Sequence, residues 1–273
     1  MKTISLLNGI DIPQLGYGTW QNVDPKECVN GVVNALKAGY RHIDTAQMYG
    51  NEALVGEGMR LSGVSREEIY LTSKINNTNH AYEDALRSID DSLAALGTDY
   101  LDLMLIHWPV VAGHEDDWRE SNIQTWRALE AAHDAGKIRS IGLSNFKVEH
   151  LENLLPHCRI KPVINQLRLH PGVAQEETVA LSREAGMAIE AWSPLSPIAQ
   201  MKDDAQMLAM ADKYQKSLAQ LLLRYGLEKD YIPLTKSVHG DRIVENAQIF
   251  DFELEADDVA YLDAWQWDGD IFM

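Results

Sequence analysis

Four residues in this chain belong together chemically: Asp44, Tyr49, Lys74 and His107. A tyrosine hydroxyl has an unperturbed pKa near ~10, too high for efficient proton transfer at neutral pH. A nearby ammonium, here Lys74, stabilises the phenolate and lowers that pKa. A carboxylate such as Asp44 would fix the lysine and keep it charged. A histidine across a shared pocket would orient a carbonyl oxygen by hydrogen bonding. The set suits protonation of an oxygen on which negative charge develops. Singly, each residue has a plainer explanation. Asp44-Thr45 caps a following helix as well as it holds a lysine, and an isolated Tyr49 reads as an amphipathic rim residue. Lys74 reads as a solvated charge and His107 as a hydrogen-bonded core histidine. All four plainer explanations must hold at once to displace the chemical one.

The elements that would position these residues repeat one pattern: a short apolar run, a turn, then an amphipathic helix. Strands are predicted at Leu15–Tyr17, His42–Asp44, Ile69–Ser73, Leu101–His107, Ile138–Leu143, Val163–Gln166, Met187–Ala191 and Ile232–Thr235. Helical patterns lie between them, among them Tyr82–Leu96, Asn122–Ala135 and Ser217–Tyr225, with stops at Gly39, Gly97, Gly136 and Gly186. Strict alternation implies a parallel sheet with helices outside. Eight units in 273 residues favour a closed (β/α)8 TIM barrel over an open doubly wound sheet, which the pattern alone also permits. The G-x-G-x-x-G fingerprint is absent: Gly56-Glu57-Gly58 begins it, but Leu61 follows where the last glycine belongs. Ahead of the barrel, Ile4 to Ile12 alternate around Asn8-Gly9, a two-residue β-hairpin signal. No linker or low-complexity segment divides the chain, so 1–273 is expected to be a single domain. Catalytic residues of such barrels gather at the C-terminal ends of the strands. Asp44, Tyr49, Lys74, His107, Ser144, Asn145, Gln166, Trp192 and Ser193 all follow predicted strands and would share one pocket.

The net charge of −17 opposes nucleic acid and anionic membrane as partners. An anionic ligand would need its own cationic pocket. Two cysteines, Cys28 and Cys158, make no disulfide framework, so a reducing, cytoplasmic setting is expected. The opening Met1–Pro13 carries one lysine and breaks at Asn8-Gly9, unlike a signal peptide. No run of eighteen apolar residues suggests a membrane span.

The stretch Gly39-Tyr-Arg-His-Ile-Asp-Thr-Ala-Gln-Met-Tyr-Gly-Asn-Glu52 resembles a signature of the aldo-keto reductase family. So do Leu103-Met-Leu-Ile-His-Trp-Pro109, Gly136-Lys-Ile-Arg-Ser-Ile-Gly-Leu-Ser-Asn-Phe146 and Val163-Ile-Asn-Gln166. Ile232-Pro-Leu-Thr-Lys-Ser-Val238 and Arg242-Ile-Val-Glu-Asn246 resemble its cofactor motif, and the matches run collinearly from Leu15 to about Leu254. The resemblance implies a barrel that binds NADPH without a Rossmann fold and reduces an aldehyde or ketone to an alcohol. Tyr49 would be the general acid, Lys74 its activator, Asp44 the group that holds Lys74, and His107 the orienter of the carbonyl. Ser144, Asn145 and Gln166 match residues that hydrogen-bond the nicotinamide carboxamide, and Trp192 matches the ring that stacks on nicotinamide. Lys236, Ser237 and Arg242 match the site of the adenosine 2′-phosphate. Glu245 and Asn246 match adenine contacts, though they also read as exposed helix residues. Ser193 and Leu195 match a loop near the pyrophosphate.

The cofactor segment departs from the family pattern in having Leu234-Thr235, not proline, before Lys236. The tail ends at Met273, shortly after Trp267. That resembles microbial members, with an open pocket and no long closing loop. Trp20, Trp108 and Phe272 are candidates for an apolar wall near the carbonyl, beside Tyr49 and His107, though each also suits core packing. A monomer is expected from the resemblance alone. Two rivals stand. One is a cofactor-sensing barrel without turnover. The other is a metal-dependent barrel using His107, Asp44 and His170, which lacks a ligand motif such as H-E-x-x-H; no metal is expected.

Overall fold

The computed structural model describes residues 2–111 and 115–269. Among these residues ten strands are present: β1 (Thr3–Ser5), β2 (Asp11–Pro13), β3 (Gly16–Gly18), β4 (His42–Asp44), β5 (Tyr70–Ile75), β6 (Leu101–Ile106), β7 (Ile138–Ser144), β8 (Ile164–Arg168), β9 (Ala188–Trp192) and β10 (Tyr231–Thr235). The last eight form a closed barrel in the order β10-β3-β4-β5-β6-β7-β8-β9, every pairing parallel. The open-sheet alternative is thereby removed. Gly39, Gly97, Gly136 and Gly186 end helices with positive φ, as their placement predicted.

Local sequence explains several helix ends. Asp24 caps the helix Pro25–Lys37 by accepting from Glu27 N at 2.9 Å, with Pro25 in the first turn. Ser217 and Gln220 form a capping box on the helix Leu218–Glu228. The helix expected at Asn122–Ala135 runs instead over Trp118–Asp134. Trp118 is buried edge-on against His150, with ring centroids 4.8 Å apart, so a tertiary contact starts this helix a turn early.

The hairpin differs from its expected form. Ser5 pairs with Asp11, and Leu6 N donates to Ile10 O at 2.9 Å. The connection is therefore the three residues Leu7, Asn8 and Gly9, not a two-residue Asn8-Gly9 loop. Gly9 N donates to Leu6 O, and φ of Gly9 is +79°. A type I turn closed by a left-handed glycine meets those constraints. The register matters because it sends Leu6 and Ile12 into one buried cluster with Tyr70, Leu103, Leu105, Ile164 and Ile232. The hairpin thus packs on the inward faces of β5, β6, β8 and β10 and closes the N-terminal end of the barrel. The opposite end is left to polar residues.

Candidate active site

The four chemical residues converge, three delivered by the ends of strands and Tyr49 by the turn that follows one. Asp44 ends β4, Lys74 is the penultimate residue of β5, and His107 follows β6 directly. Tyr49 closes a short 3-10 turn, Gln47–Tyr49, that follows β4. The Lys74 ammonium donates to Asp44 Oδ1 at 2.7 Å, Asp44 Oδ2 at 2.8 Å, Thr45 O at 2.9 Å and the Tyr49 hydroxyl at 3.3 Å. Lys74 is fully buried and Asp44 nearly so. Trp20 lies over Tyr49 with centroids 4.8 Å apart, and His107 meets the Tyr49 ring edge-on at 5.7 Å.

The electrostatics correct one expectation. Burial raises the Tyr49 pKa, and Lys74 pulls it back without reversing the sign, so the hydroxyl sits above the ordinary tyrosine value. Depth is the larger effect, and Asp44, answering the same positive charge, adds to the rise. Tyr49 therefore keeps its proton at neutral pH, as an acid must, while Lys74 lowers the cost of losing it. Burial alone would pull Lys74 down, but Asp44 and Tyr49 together carry it above the ordinary lysine value. Burial, then Lys74 and His80, hold His107 well below the usual histidine range, so its ring is neutral. His107 Nδ1 is buried without a partner among the described residues, and the residue lines the cavity.

That cavity is about 650 Å³. Trp20, Tyr49, His107 and Trp108 line one side; Ser144, Asn145, Gln166 and Trp192 line another; Ser193, Leu195 and Lys236 continue the wall. Ser237, Arg242, Glu245 and Asn246 do not line it. Asn246 is buried and donates to Thr235 Oγ1 at 2.9 Å, which ties its helix to β10. Ser237 accepts from His239 N at 3.1 Å, and its carbonyl accepts from the Tyr17 hydroxyl. Lys236 and Arg242 are exposed and pair with no carboxylate among the described residues. Phe272 lies outside the described residues. His170, which the metal-dependent alternative would use, is buried; its Nδ1 lies 2.9 Å from Pro171 O, and Trp267 packs against its ring. Among the described residues no group of three or more His, Cys, Asp or Glu is placed to hold a metal ion. No helix among them is long and apolar enough to cross a membrane.

The residues expected around nicotinamide are linked before any ligand arrives. Trp192 Nε1 donates to Asn145 Oδ1 at 2.9 Å, which fixes the indole plane. Asn145 Nδ2 donates to His107 O and Ser144 Oγ, both at 3.0 Å. Asn145 and Ser193 hold φ of +63° and +54°, left-handed values that non-glycine residues adopt at a cost and that gather at functional sites. Gln166 Nε2 donates to Asp44 Oδ2 at 2.9 Å and to Glu190 Oε2 at 2.8 Å.

Among the residues at the site to which the sequence reading gave no role are Met48 and Glu190. Met48 lines the cavity beside Tyr49 and is exposed. Glu190 lies on β9, fully buried beneath the cavity, with Oε1 3.6 Å from His42 Nε2. Burial, with Asp44 adding to it, pushes the Glu190 carboxyl up to about 8. Burial and Lys74 hold His42 down at about 3. Also facing Glu190 are Gln166 on β8 and Tyr70 on β5. In the unfolded chain Glu190 would titrate near ~4.3. Between those values the folded chain keeps a proton that the unfolded chain has released. The stability from this group is full in acid and is lost as pH rises through about 8, with a slope of at most about 1.4 kcal/mol per pH unit. Glu190→Gln cannot ionise and is expected to flatten that fall. Thermal melts of both chains at successive pH values check this, and parallel curves would contradict it.

A (β/α)8 barrel with a buried Lys–Asp pair beneath a tyrosine hydroxyl, at the C-terminal ends of its strands, has the form of an enzyme. Comparison with known proteins gives the family. The Aldo/keto reductase family model matches residues 14–266, and the chain belongs to that family of oxidoreductases. Glyoxal reductase of Bacillus subtilis (strain 168) is 44% identical over 262 residues, spanning 96% of this chain and 92% of the relative. An aldo/keto reductase structure from Brucella melitensis matches with a TM-score of 0.89 at 43% identity, over 96% of this chain and 98% of that one. The Bombyx mori aldo-keto reductase, solved in complex with NADP, matches with a TM-score of 0.89 at 36% identity, over 96% of this chain and 92% of that one.

Proposed function

We propose that this protein reduces an aldehyde or ketone to an alcohol with NADPH, and that Tyr49 is the general acid. One observation carries the assignment: the Tyr49 hydroxyl lies 3.3 Å from a buried ammonium that both oxygens of Asp44 already hold. When bound, NADPH supplies the hydride. Tyr49 donates its proton to the carbonyl oxygen as charge builds there, and Lys74 stabilises the phenolate left behind. His107, neutral, orients the carbonyl from Nε2. Trp20 and Trp108 form the apolar wall beside it.

The residues present fit the cofactor. The Trp192 indole offers a flat face held by Asn145. The Ser144 hydroxyl proton and Gln166 Oε1 lack partners among the described residues, while both residues line the cavity. They offer one donor and one acceptor to a carboxamide. Lys236 and Arg242, on a chain of net charge −17, supply local positive charge for the 2′-phosphate. The NADP complex of the Bombyx mori relative supports the phosphorylated form. The name of the Bacillus relative supports small aldehydes as first substrates. We further propose that residues 1–273 act as one domain.

The test is consumption of NADPH with glyoxal and with an aromatic aldehyde. Cofactor binding without turnover on either would favour a sensing role. For the phosphate site, Lys236→Ala with Arg242→Ala is expected to cut the ratio of NADPH to NADH efficiency about 100-fold. Two charge-assisted contacts of about 1.5 kcal/mol each give that factor. An unchanged ratio of kcat/KM values would remove both residues from the phosphate site.

A further inference from the structure

The β-barrel carries a second buried polar tier that the proposed proton transfer does not use. His42 on β4, Thr72 on β5 and Glu190 on β9 are all fully buried below Asp44, Lys74 and Gln166. His42 Nε2 lies 3.0 Å from Thr72 Oγ1. The tier meets the upper one where Glu190 Oε2 accepts from Gln166 Nε2. We propose that Glu190 is a positioning residue of the nicotinamide site, which holds the Gln166 amide so that its oxygen, not its nitrogen, faces the cofactor. This rests on the assignment of an NADPH site to the cavity and names a residue that assignment does not require.

The geometry is specific. A glutamine amide has two N–H donors and one carbonyl acceptor. Asp44 takes one N–H at 2.9 Å and Glu190 takes the other at 2.8 Å. Both donors are consumed below the cavity floor, so Oε1 is the only hydrogen-bonding atom Gln166 can present. With Asp44 alone, the second N–H would be left to turn toward the cavity or stay unpaired. Either outcome confuses the polarity of the site. On the neighbouring strand β7, Ser144, the register partner of Gln166, accepts at Oγ from Asn145 Nδ2 and keeps its proton to give. A carboxamide between the two has one good orientation, with N–H2 toward Gln166 and C=O toward Ser144. The reversed carboxamide sets donor against donor and acceptor against acceptor. Glu190 accepts at Oε2 whether its carboxyl is ionised or neutral, so the role does not depend on its titration. Its full burial is consistent with this, because an acidic side chain at that depth needs a partner that uses it.

The test compares two ligands that share the adenosine 2′-phosphate half but differ in the nicotinamide half: NADP+ and 2′,5′-ADP. Dissociation constants are read by quenching of intrinsic tryptophan fluorescence. Glu190→Leu removes the acceptor and is expected to weaken NADP+ binding about tenfold or more, as expected for one unmade buried hydrogen bond. Binding of 2′,5′-ADP should stay within about twofold, since neither Glu190 nor Gln166 belongs to the phosphate site. Glu190→Gln keeps an acceptor oxygen and should return NADP+ affinity to within about threefold of wild type. In a Gln166→Leu background the Glu190→Leu change should have no further effect, because the residues act as one unit. If the Leu variant does not fold, Glu190→Met, unbranched and of similar length, takes its place. Equal weakening of both ligands marks a structural role and overturns the proposal. So does NADP+ binding within twofold of wild type in the Leu or Met variant. Failure of the wild type to bind NADP+ would instead overturn the cofactor assignment itself.

Discussion

Tyr49→Phe is expected to bind NADPH as wild type does and to lower kcat for carbonyl reduction by about 100-fold or more. The size follows from what the substitution removes. The ring stays, packed under Trp20 at 4.8 Å and against His107 at 5.7 Å. Lys74 keeps both oxygens of Asp44 and the carbonyl of Thr45, so its three protons remain satisfied. The thermal midpoint should therefore move by less than about 1 kcal/mol in stability terms, and a loss of rate reports loss of the proton. The raised Tyr49 pKa sets a second check. Reduction needs the protonated hydroxyl, so wild-type kcat should hold through neutral pH and fall only in the alkaline range. A Phe variant within tenfold of wild type would place the donor elsewhere. His107 is the remaining neutral group at hand, and a water is the other source. Stopped-flow or steady-state NADPH consumption, with binding measured separately, distinguishes these outcomes.

The proposed proton donor was legible because its partners stand at sites that strand periodicity can mark. Asp44, Lys74 and His107 fall at or just past the ends of apolar runs, where a barrel opens to solvent. Glu190 was not legible. In Ala188-Ile-Glu-Ala-Trp192 a lone acid between apolar residues reads as the solvent face of a half-buried strand. Barrel strands have no solvent face, since helices cover one side and the barrel interior the other. An inward acid and an outward one therefore look alike until closure decides. The hairpin register failed for a related reason. Asn8-Gly9 fits a two-residue loop, but Gly9 serves equally as the left-handed end of a three-residue one, and only the burial of Leu6 and Ile12 selects between them. The direction of the Tyr49 pKa shift was hidden because sequence names a residue's partners but not its depth. The residues proposed for the phosphate site were read from motif rather than chemistry: Lys236 lines the cavity, whereas Arg242 stands on the helix Gly240–Asn246 beyond it.

Lys74→Met should have the largest combined effect on fold and rate. It leaves the Asp44 carboxylate buried at 3% exposure with no cation bonded to it; Gln166 Nε2 at 2.9 Å is the donor that remains. Breaking a buried ion pair from one side costs about 3–5 kcal/mol, because the remaining charge is uncompensated. For a chain of this size that corresponds to roughly 6–20 °C in thermal midpoint. Activity should fall by at least about 100-fold, since the phenolate loses the charge that stabilises it. Stability and chemistry separate in the double variant. Lys74→Met with Asp44→Asn replaces the ion pair by neutral groups of similar volume, and the new side-chain amide oxygen can still accept from Gln166. Its midpoint should recover by more than half, whereas its rate should not recover at all. Recovery of both would mean that the single variant was inactive only because it was unstable. Recovery of neither would mean that the lysine holds the barrel floor by its packing rather than its charge. Only the split result assigns the ammonium to the reaction and the pair as a whole to the fold.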